Sequence, residues 1–176
     1  MEVFDAIQRR KSVRVYDRRP IPDDVLMKIL EAGRIAPSAS NIQPWHFVVV
    51  RDQKRREALS TGRYAGFLKD SPVVIVGCGN KRSSPKWNAI DVTIALENMV
   101  LAATGEGVGT CWIGSFDEDS VKRAINAPPD CNIVAMLAVG YPRDGLDLVS
   151  KVIAARKRKS FNEVVSFEEF GKAKAT

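Results

Sequence analysis

The sequence is poor in the residues that hydrolytic and metal-dependent active sites use. Its 176 residues include one histidine, His46, and three cysteines without CxxC spacing. One histidine and no G-x-S-x-G segment argue against a Ser-His-Asp hydrolase, and the same scarcity argues against a zinc site. We expect His46, at the start of a strand, to be a packed histidine. An odd cysteine count without a disulfide framework favours the reducing cytoplasm.

Long apolar runs and nucleotide-binding glycine motifs are also missing. A membrane-spanning helix needs about 20 apolar residues, and no run approaches that length. The charged N-terminus lacks the apolar core of a secretory signal, so we expect no membrane partner. Walker A is absent. The glycines at 105–109 follow a helical pattern and those at 77–79 lack a third spaced glycine, so neither predicts a Rossmann site.

The composition that remains is that of an ordinary globular chain with excess positive charge. Hydrophobic residues make up 45% and charged residues 27%, which predicts a single domain over residues 1–176. The net charge of +6 fits nucleic acid, a phosphate-bearing ligand or solubility alone. A nucleic-acid-binding domain should show an aromatic and basic face or a groove-reading helix, and the sequence shows neither. A nucleic-acid-binding domain without catalytic activity stays the alternative from a different functional class.

Hydrophobic periodicity predicts alternating helices and strands. The helices are expected at about 2–11, 22–34, 54–59 with an extension to 68, 88–104 and 118–126, and the strands at about 46–51, 73–78 and 133–139. Residues 12–16 alternate as a short extended segment. The helix at 88–104 is apolar around much of its circumference, which is typical of a helix in a core or at a subunit interface.

Four segments carry groups suited to an anionic or planar ligand. Arginine donates to phosphate in bidentate geometry, and glycine allows close approach of backbone N–H groups. A single segment of this kind is weak evidence for a ligand site, because a run of basic residues is usually just a solvent-exposed face. They are Arg10, Lys11, Ser12 and Arg14; the loop with Ser38, Asn41 and Gln43; Ile113, Gly114 and Ser115; and the cluster at 156–159.

In combination, these segments resemble the nitroreductase family of FMN-dependent oxidoreductases. The resemblance runs in order through RRKSVRVY at 9–16, APSASNIQPWHFVVV at 36–50, LAATGEGVGTCWIGSFDED at 101–119, VAMLAVGYP at 134–142 and ARKRKSFNEVVSFEEF at 155–170. It implies an α+β, three-layer α-β-α fold with a mixed, largely antiparallel central sheet. It also implies an intertwined homodimer, with the tail from about 150 to 176 wrapping the partner subunit.

The resemblance also implies roles for the basic segment near the N-terminus. Arg10 would contact the FMN phosphate, with Lys11 or its backbone assisting. Ser12 would contact the ribityl or phosphate region, and Arg14 the pyrimidine edge of the flavin ring. A cation at that edge stabilises the negative charge of reduced flavin.

The remaining implied contacts come from three other segments. The loop with Pro37, Ser38, Ala39 and Asn41 would reach the flavin bound by the partner subunit, and Gln43 would order that loop. Ile113, Gly114 and Ser115 would present a backbone N–H to flavin N5, and Arg156 and Arg158 would close over the phosphate. Ala39 replaces a serine of many relatives, and RKRKS replaces the commoner tail pattern. Which of the four basic tail residues contacts phosphate therefore stays open.

The activity implied is hydride transfer from NAD(P)H through FMN to a small oxidant, such as a nitroaromatic or a quinone, by a ping-pong mechanism. No catalytic side chain outside the flavin shell and no metal is expected, because the flavin carries the chemistry. Flavin destruction and reductive dehalogenation, which occur on the same fold, are the alternatives within flavoproteins.

Overall fold

A computed structural model describes residues 1–143 and 158–172 of the chain. The α-helices of these residues are α1 (Val3–Arg9), α2 (Asp23–Arg34), α3 (Gln53–Leu59), α4 (Asn88–Gly105), α5 (Glu118–Ile125) and α6 (Phe161–Val164). The strands are β1 (Trp45–Val50), β2 (Val73–Asn80), β3 (Gly109–Ile113) and β4 (Cys131–Gly140), and short 3-10 turns cover Ala39–Asn41 and Gly66–Asp70. In this part of the chain, no helix is both long and apolar enough to cross a membrane.

The four strands form one sheet in the order β1-β2-β4-β3, with each neighbouring pair antiparallel. Trp45 pairs with Gly79 at one end of the sheet. Gly109 pairs with Gly140 at the other end. A parallel bridge joins Ser12 to Thr110 beside β3. The sheet therefore has two edge strands, β1 and β3, and two distinguishable ends.

Helices cover both faces of this sheet. Because side chains alternate along a strand, Val74 and Val76 pack towards α3 and α5, while Val73 and Ile75 pack towards α2 and α4. The central strand β2 is buried from Val73 to Gly79, which explains its unbroken apolar sequence. Each such side chain stabilises the fold by about 1.5–3 kcal/mol. The expected three-layer α+β fold is confirmed.

α4 is the longest helix among the described residues, and part of its apolar surface is exposed. Leu96, Met99 and Val100 are fully buried, with Leu96 beside Gly77 of the sheet and Met99 beside Gly33 of α2. On the opposite side Ile90 and Ile94 are 49% and 37% exposed. α1 packs against α4 and exposes a second apolar set, consisting of Val3, Phe4 and Ile7. The two helices thus share unburied apolar surface.

Two expectations from periodicity were wrong in detail. The helix predicted at 54–59 is present as α3, but its predicted extension to 68 is absent, and a turn region and a 3-10 turn follow Leu59. Strand β3 was missed, because its sequence GTCWI begins with the glycine that was assigned to a turn after α4. Gly109 has a packing reason: a Cβ there would lie 2.7 Å from the Val13 side chain. The glycine allows residues 10–14 to lie against β3.

Candidate functional site

The basic segment after α1 runs extended along the beginning of β3. The Val13 N–H donates to the Thr110 carbonyl over 2.8 Å, and the Val13 side chain is buried in the core. With Val13 facing inwards, alternation turns Ser12 and Arg14 to the other side, and Arg10, Ser12 and Arg14 are all half-buried. The structure therefore holds two guanidinium groups and a hydroxyl at alternate positions. Lys11, between them, is exposed.

The end of β3 leads into an open backbone segment. Ile113 is buried and fixes the strand, while Gly114 and Ser115 are exposed. A Cβ at Gly114 would meet no atom within 4 Å, so the space beside this backbone is free for a ligand. Both this segment and the basic segment lie along the β3 edge. The structure thus brings two of the four predicted groups to one edge of the sheet.

Gly62, which sequence reasoning did not select, supports the open segment from behind. A Cβ at Gly62 would lie 2.3 Å from the Ser115 carbonyl oxygen, closer than real atoms approach. The loop after α3 therefore fixes the position of the Ser115 backbone, and only glycine fits at this contact. The only signal in the sequence was a glycine between polar residues, which is common in loops.

The loop before β1 has a strained backbone held by several hydrogen bonds. Ser40, Asn41 and Gln43 all have positive φ, at 50°, 54° and 52°. Such conformations cost non-glycine residues about 1–3 kcal/mol each and are frequent at functional sites. The Ser38 hydroxyl accepts from the Gln43 N–H over 2.9 Å, and the Gln43 side chain donates to the Asn41 carbonyl over 3.2 Å. Gln43 thus joins the two ends of the strained segment through its backbone and its side chain.

One bond ties this loop to the core of the protein. Asp91 on α4 is 2% exposed, and its Oδ1 accepts from the Ala39 N–H over 3.1 Å. Within residues 1–143 and 158–172, its Oδ2 has no hydrogen-bond partner although it is buried. Asp91 was missed by sequence reasoning. The signal was present, since it is an acidic residue within an apolar helix.

The loop and the basic segment lie at opposite corners of the sheet. The loop enters β1 at the end where Trp45 pairs with Gly79, whereas Ser12 bridges Thr110 at the other end of the opposite edge. Three strand spacings, about 14 Å, separate the two edges. Roughly 20 Å of α4 lies between Asp91 beside the loop and Gly105 at the far end. A single subunit therefore keeps these two predicted groups apart.

The structure describes only part of the basic cluster at 156–159. Arg156 and Lys157 lie outside the described residues. Arg158 is described and exposed, and it precedes α6, which begins with a capping box between Ser160 and Glu163.

A cavity of about 420 Å³ opens beside the loop on the α5 side of the sheet. His46, Cys78 and Cys131 line it, and His46 is exposed rather than packed as predicted, because it begins an edge strand. Burial raises the pKa of the Cys78 thiol and of the Cys131 thiol. Thiols with a raised pKa are poor nucleophiles, so we expect neither cysteine to act as one.

Comparison with known proteins gives the family. Residues 7–62 and 56–141 match the family model described as the Nitroreductase family. An Archaeoglobus fulgidus protein, provisionally named an NADH dehydrogenase/NAD(P)H nitroreductase, is 34% identical over 155 residues, which are 83% of this chain and 88% of that protein. The chain belongs to the Nitroreductase family.

Solved structures of Nitroreductase family proteins share the fold. A nitroreductase family protein from Clostridium novyi has a TM-score of 0.78 at 30% identity, over 98% of this chain and 97% of that chain. A Desulfovibrio desulfuricans protein, provisionally named a nitroreductase and solved in complex with FMN, has a TM-score of 0.83 at 28% identity, over 97% of this chain and 98% of that chain.

The donor set of the β3 edge fits a flavin mononucleotide. A phosphate requires a cationic bidentate donor, which Arg10 can supply, and a flavin ring suits a cation at its pyrimidine edge, which Arg14 can supply. The ring also requires an unobstructed backbone surface, which Gly114 leaves open.

Proposed function

We propose that this chain is an FMN-dependent oxidoreductase, which transfers hydride from NAD(P)H to a small oxidant such as a nitroaromatic or a quinone. The observation that carries the proposal is that Arg10, Ser12 and Arg14 lie along the same edge of the sheet as the open backbone at Gly114. Membership of the Nitroreductase family and the FMN complex of the Desulfovibrio desulfuricans relative support it. The odd set of three free, buried cysteines supports a reducing, cytoplasmic location.

When bound, FMN supplies the acceptance and release of hydride at N5, so the side chains act by position and charge. Arg10 holds the phosphate, Lys11 or its backbone assists, and Ser12 contacts the ribityl or phosphate region. Arg14 places positive charge at the pyrimidine edge, which favours electron uptake. In the C-terminal tail, Arg156 and Arg158 would close over the phosphate.

At the other end of the ligand, Gly114 offers its backbone N–H to the ring, with Ile113 and Ser115 fixing the direction of the chain. No side chain is required as general acid or base. Nicotinamide and oxidant would bind in turn at the same site, which predicts ping-pong kinetics.

We further propose a homodimer with two shared sites. Each loop, with Pro37, Ser38, Ala39 and Asn41, would reach the site on the partner subunit, since one subunit keeps its own loop and basic segment apart. The exposed apolar side chains of α1 and α4 support a two-fold interface, because a self-complementary patch closes on itself. The apolar edge strand β1 and the exposed Phe161 and Val164 of α6 support a tail that wraps the partner.

Substrate oxidation tests the activity. FMN-loaded protein should oxidise NADH or NADPH faster when a nitroaromatic or a quinone is present. Double-reciprocal plots at several oxidant concentrations should be parallel, as ping-pong kinetics require. Loss of the flavin absorbance with formation of a benzimidazole would instead indicate flavin destruction, and halide release from a haloaromatic would indicate dehalogenation. Either result, without nitroaromatic or quinone turnover, would contradict the proposed oxidant class.

Gly62→Ala is expected to weaken FMN binding by about tenfold or more, because small displacements of positioned groups have large effects. The added Cβ forces the Ser115 backbone to move. Fluorescence titration of apoprotein with FMN measures the dissociation constant. Gly66→Ala in the same region is the matched control, since a Cβ there meets no atom within 4 Å. Equal affinities in the two variants would contradict a positioning role for Gly62.

Cys111→Ala is expected to keep most NAD(P)H-dependent turnover. The Cys111 side chain packs in the core between the sheet and α3 and α5, so its loss should lower the stability by about 1 kcal/mol without changing the chemistry. Steady-state rates of FMN-loaded wild type and variant provide the comparison. Near-complete loss of turnover with FMN still bound would assign a redox role to this thiol.

A further inference from the structure

The loop before β1 carries more backbone strain than its own hydrogen bonds explain. Three non-glycine residues with positive φ occur within four positions, at Ser40, Asn41 and Gln43. Strained conformations of this kind persist only where the surroundings enforce them. Inside the loop, the Ser38 hydroxyl binds the Gln43 N–H, and at its end the Asn80 N–H donates to the Pro44 carbonyl over 2.8 Å. The beginning of the loop depends on Asp91.

The side chain of Asp91 is unusual for its position. It lies in the first turn of α4, with Val92 and Ala95 fully buried nearby along the helix. One carboxyl oxygen binds the Ala39 N–H, and the other is buried without a partner among the residues that the structure describes. A buried polar atom without a partner is costly, and an apolar side chain of similar volume would avoid that cost. The helix dipole favours an acidic side chain in the first turn by only about 0.3–1 kcal/mol, so stability alone does not account for an aspartate here.

We propose that Asp91 is a positioning residue for cofactor binding, which holds the loop at Ala39 in the conformation that receives FMN. This inference rests on the proposed function. Asp91 acts through the Ala39 N–H and does not itself touch the flavin. Because the loop serves the site of the partner subunit, Asp91 of one subunit supports the flavin of the other. Asp91 thus lowers the stability of the fold, because one of its carboxyl oxygens is buried without a partner among the described residues, but it orders the loop through the other.

Two substitutions at Asp91 test the proposal by FMN titration of apoprotein and by thermal unfolding. Asp91→Leu removes the acceptor and is expected to weaken FMN binding by about tenfold or more. Its melting temperature should be equal to or higher than that of wild type. Asp91→Asn keeps an acceptor oxygen for Ala39 and should bind FMN within about threefold of wild type. Asn98→Ala is the control, because Asn98 on the same helix donates to the Ala32 carbonyl and not to the loop.

Each alternative outcome contradicts the proposal. The proposal is contradicted if Asp91→Leu binds FMN with wild-type affinity, or if Asp91→Asn binds FMN as weakly as Asp91→Leu. It is also contradicted if Asn98→Ala loses as much FMN affinity as Asp91→Leu. If Asp91→Leu does not fold, Ala39→Pro removes the same bond from the donor side. Ser38 is extended, with ψ of 158°, which is compatible with a following proline. Unchanged FMN affinity in Ala39→Pro would then overturn the inference. Failure of wild type to bind FMN would instead refute the proposed function.

Discussion

Mixing an Arg14→Glu subunit with an Asn41→Asp subunit is expected to restore part of the flavin binding and turnover that both parents lack. Arg14 belongs to the basic segment at one corner of the sheet, and Asn41 belongs to the loop at the opposite corner. In a heterodimer, one site receives both altered residues and the other receives neither. Flavin content and NAD(P)H oxidation of the purified, differently tagged heterodimer measure the recovery.

The chain provides a matched control for this experiment. Arg10→Ala and Arg14→Glu lie in the same segment, so a mixture of these two variants should leave every site damaged and recover nothing. Sedimentation of wild type should show a dimer whose flavin content falls when it dissociates. A fully active monomer, or no recovery from the Arg14→Glu and Asn41→Asp mixture, would contradict sites shared between subunits.

Arg10→Ala is expected to weaken FMN binding by about 2 kcal/mol or more, because it removes a charge-assisted contact with the phosphate. That difference corresponds to roughly a 30-fold rise in the dissociation constant. Arg10 is half-buried at the end of α1, so its guanidinium is partly withdrawn from water. Fluorescence titration of apoprotein at several salt concentrations gives the dissociation constants.

Arg9→Ala is the control for the Arg10 experiment. Arg9 is the preceding residue, carries the same charge and is exposed at the end of α1. Its removal lowers the net charge by the same amount, so a general electrostatic effect would weaken FMN binding equally in both variants. Equal losses would mean that the phosphate responds to the overall positive charge rather than to Arg10.

Local pattern was sufficient to predict most of the layers. The apolar run of β2 and the apolar circumference of α4 follow directly from burial on several sides, and the sequence shows both. The extended segment at 12–16 was also predictable from its alternation. Strand β3 was not, since it is short and begins with Gly109, a residue of low strand propensity that is required by the contact with Val13. The formation of β3 therefore depends on packing between segments that are distant in the sequence.

The candidate site, like the fold, was predictable only where local sequence is sufficient. The basic and loop residues could be selected from side-chain chemistry and from the resemblance to a family. Three features depend on tertiary structure. They are the positive φ values at Ser40, Asn41 and Gln43, the hydrogen bond from the Ala39 N–H to Asp91, and the contact of Gly62 with the Ser115 backbone. A short window of sequence marks Asp91 as an acidic residue in an apolar helix, but it does not show which backbone group Asp91 binds or which backbone Gly62 contacts. The separation of the loop from the basic segment follows only from the strand order.

The absorbance spectrum of the purified protein, before and after addition of FMN and gel filtration, tests the central claim most directly. We predict flavin absorbance bands that elute with the protein, and release of FMN rather than FAD or riboflavin on denaturation. The bound FMN should reach stoichiometry with the subunits and be retained without a covalent link. Failure of the folded wild-type protein to bind FMN at micromolar concentration would contradict the claim.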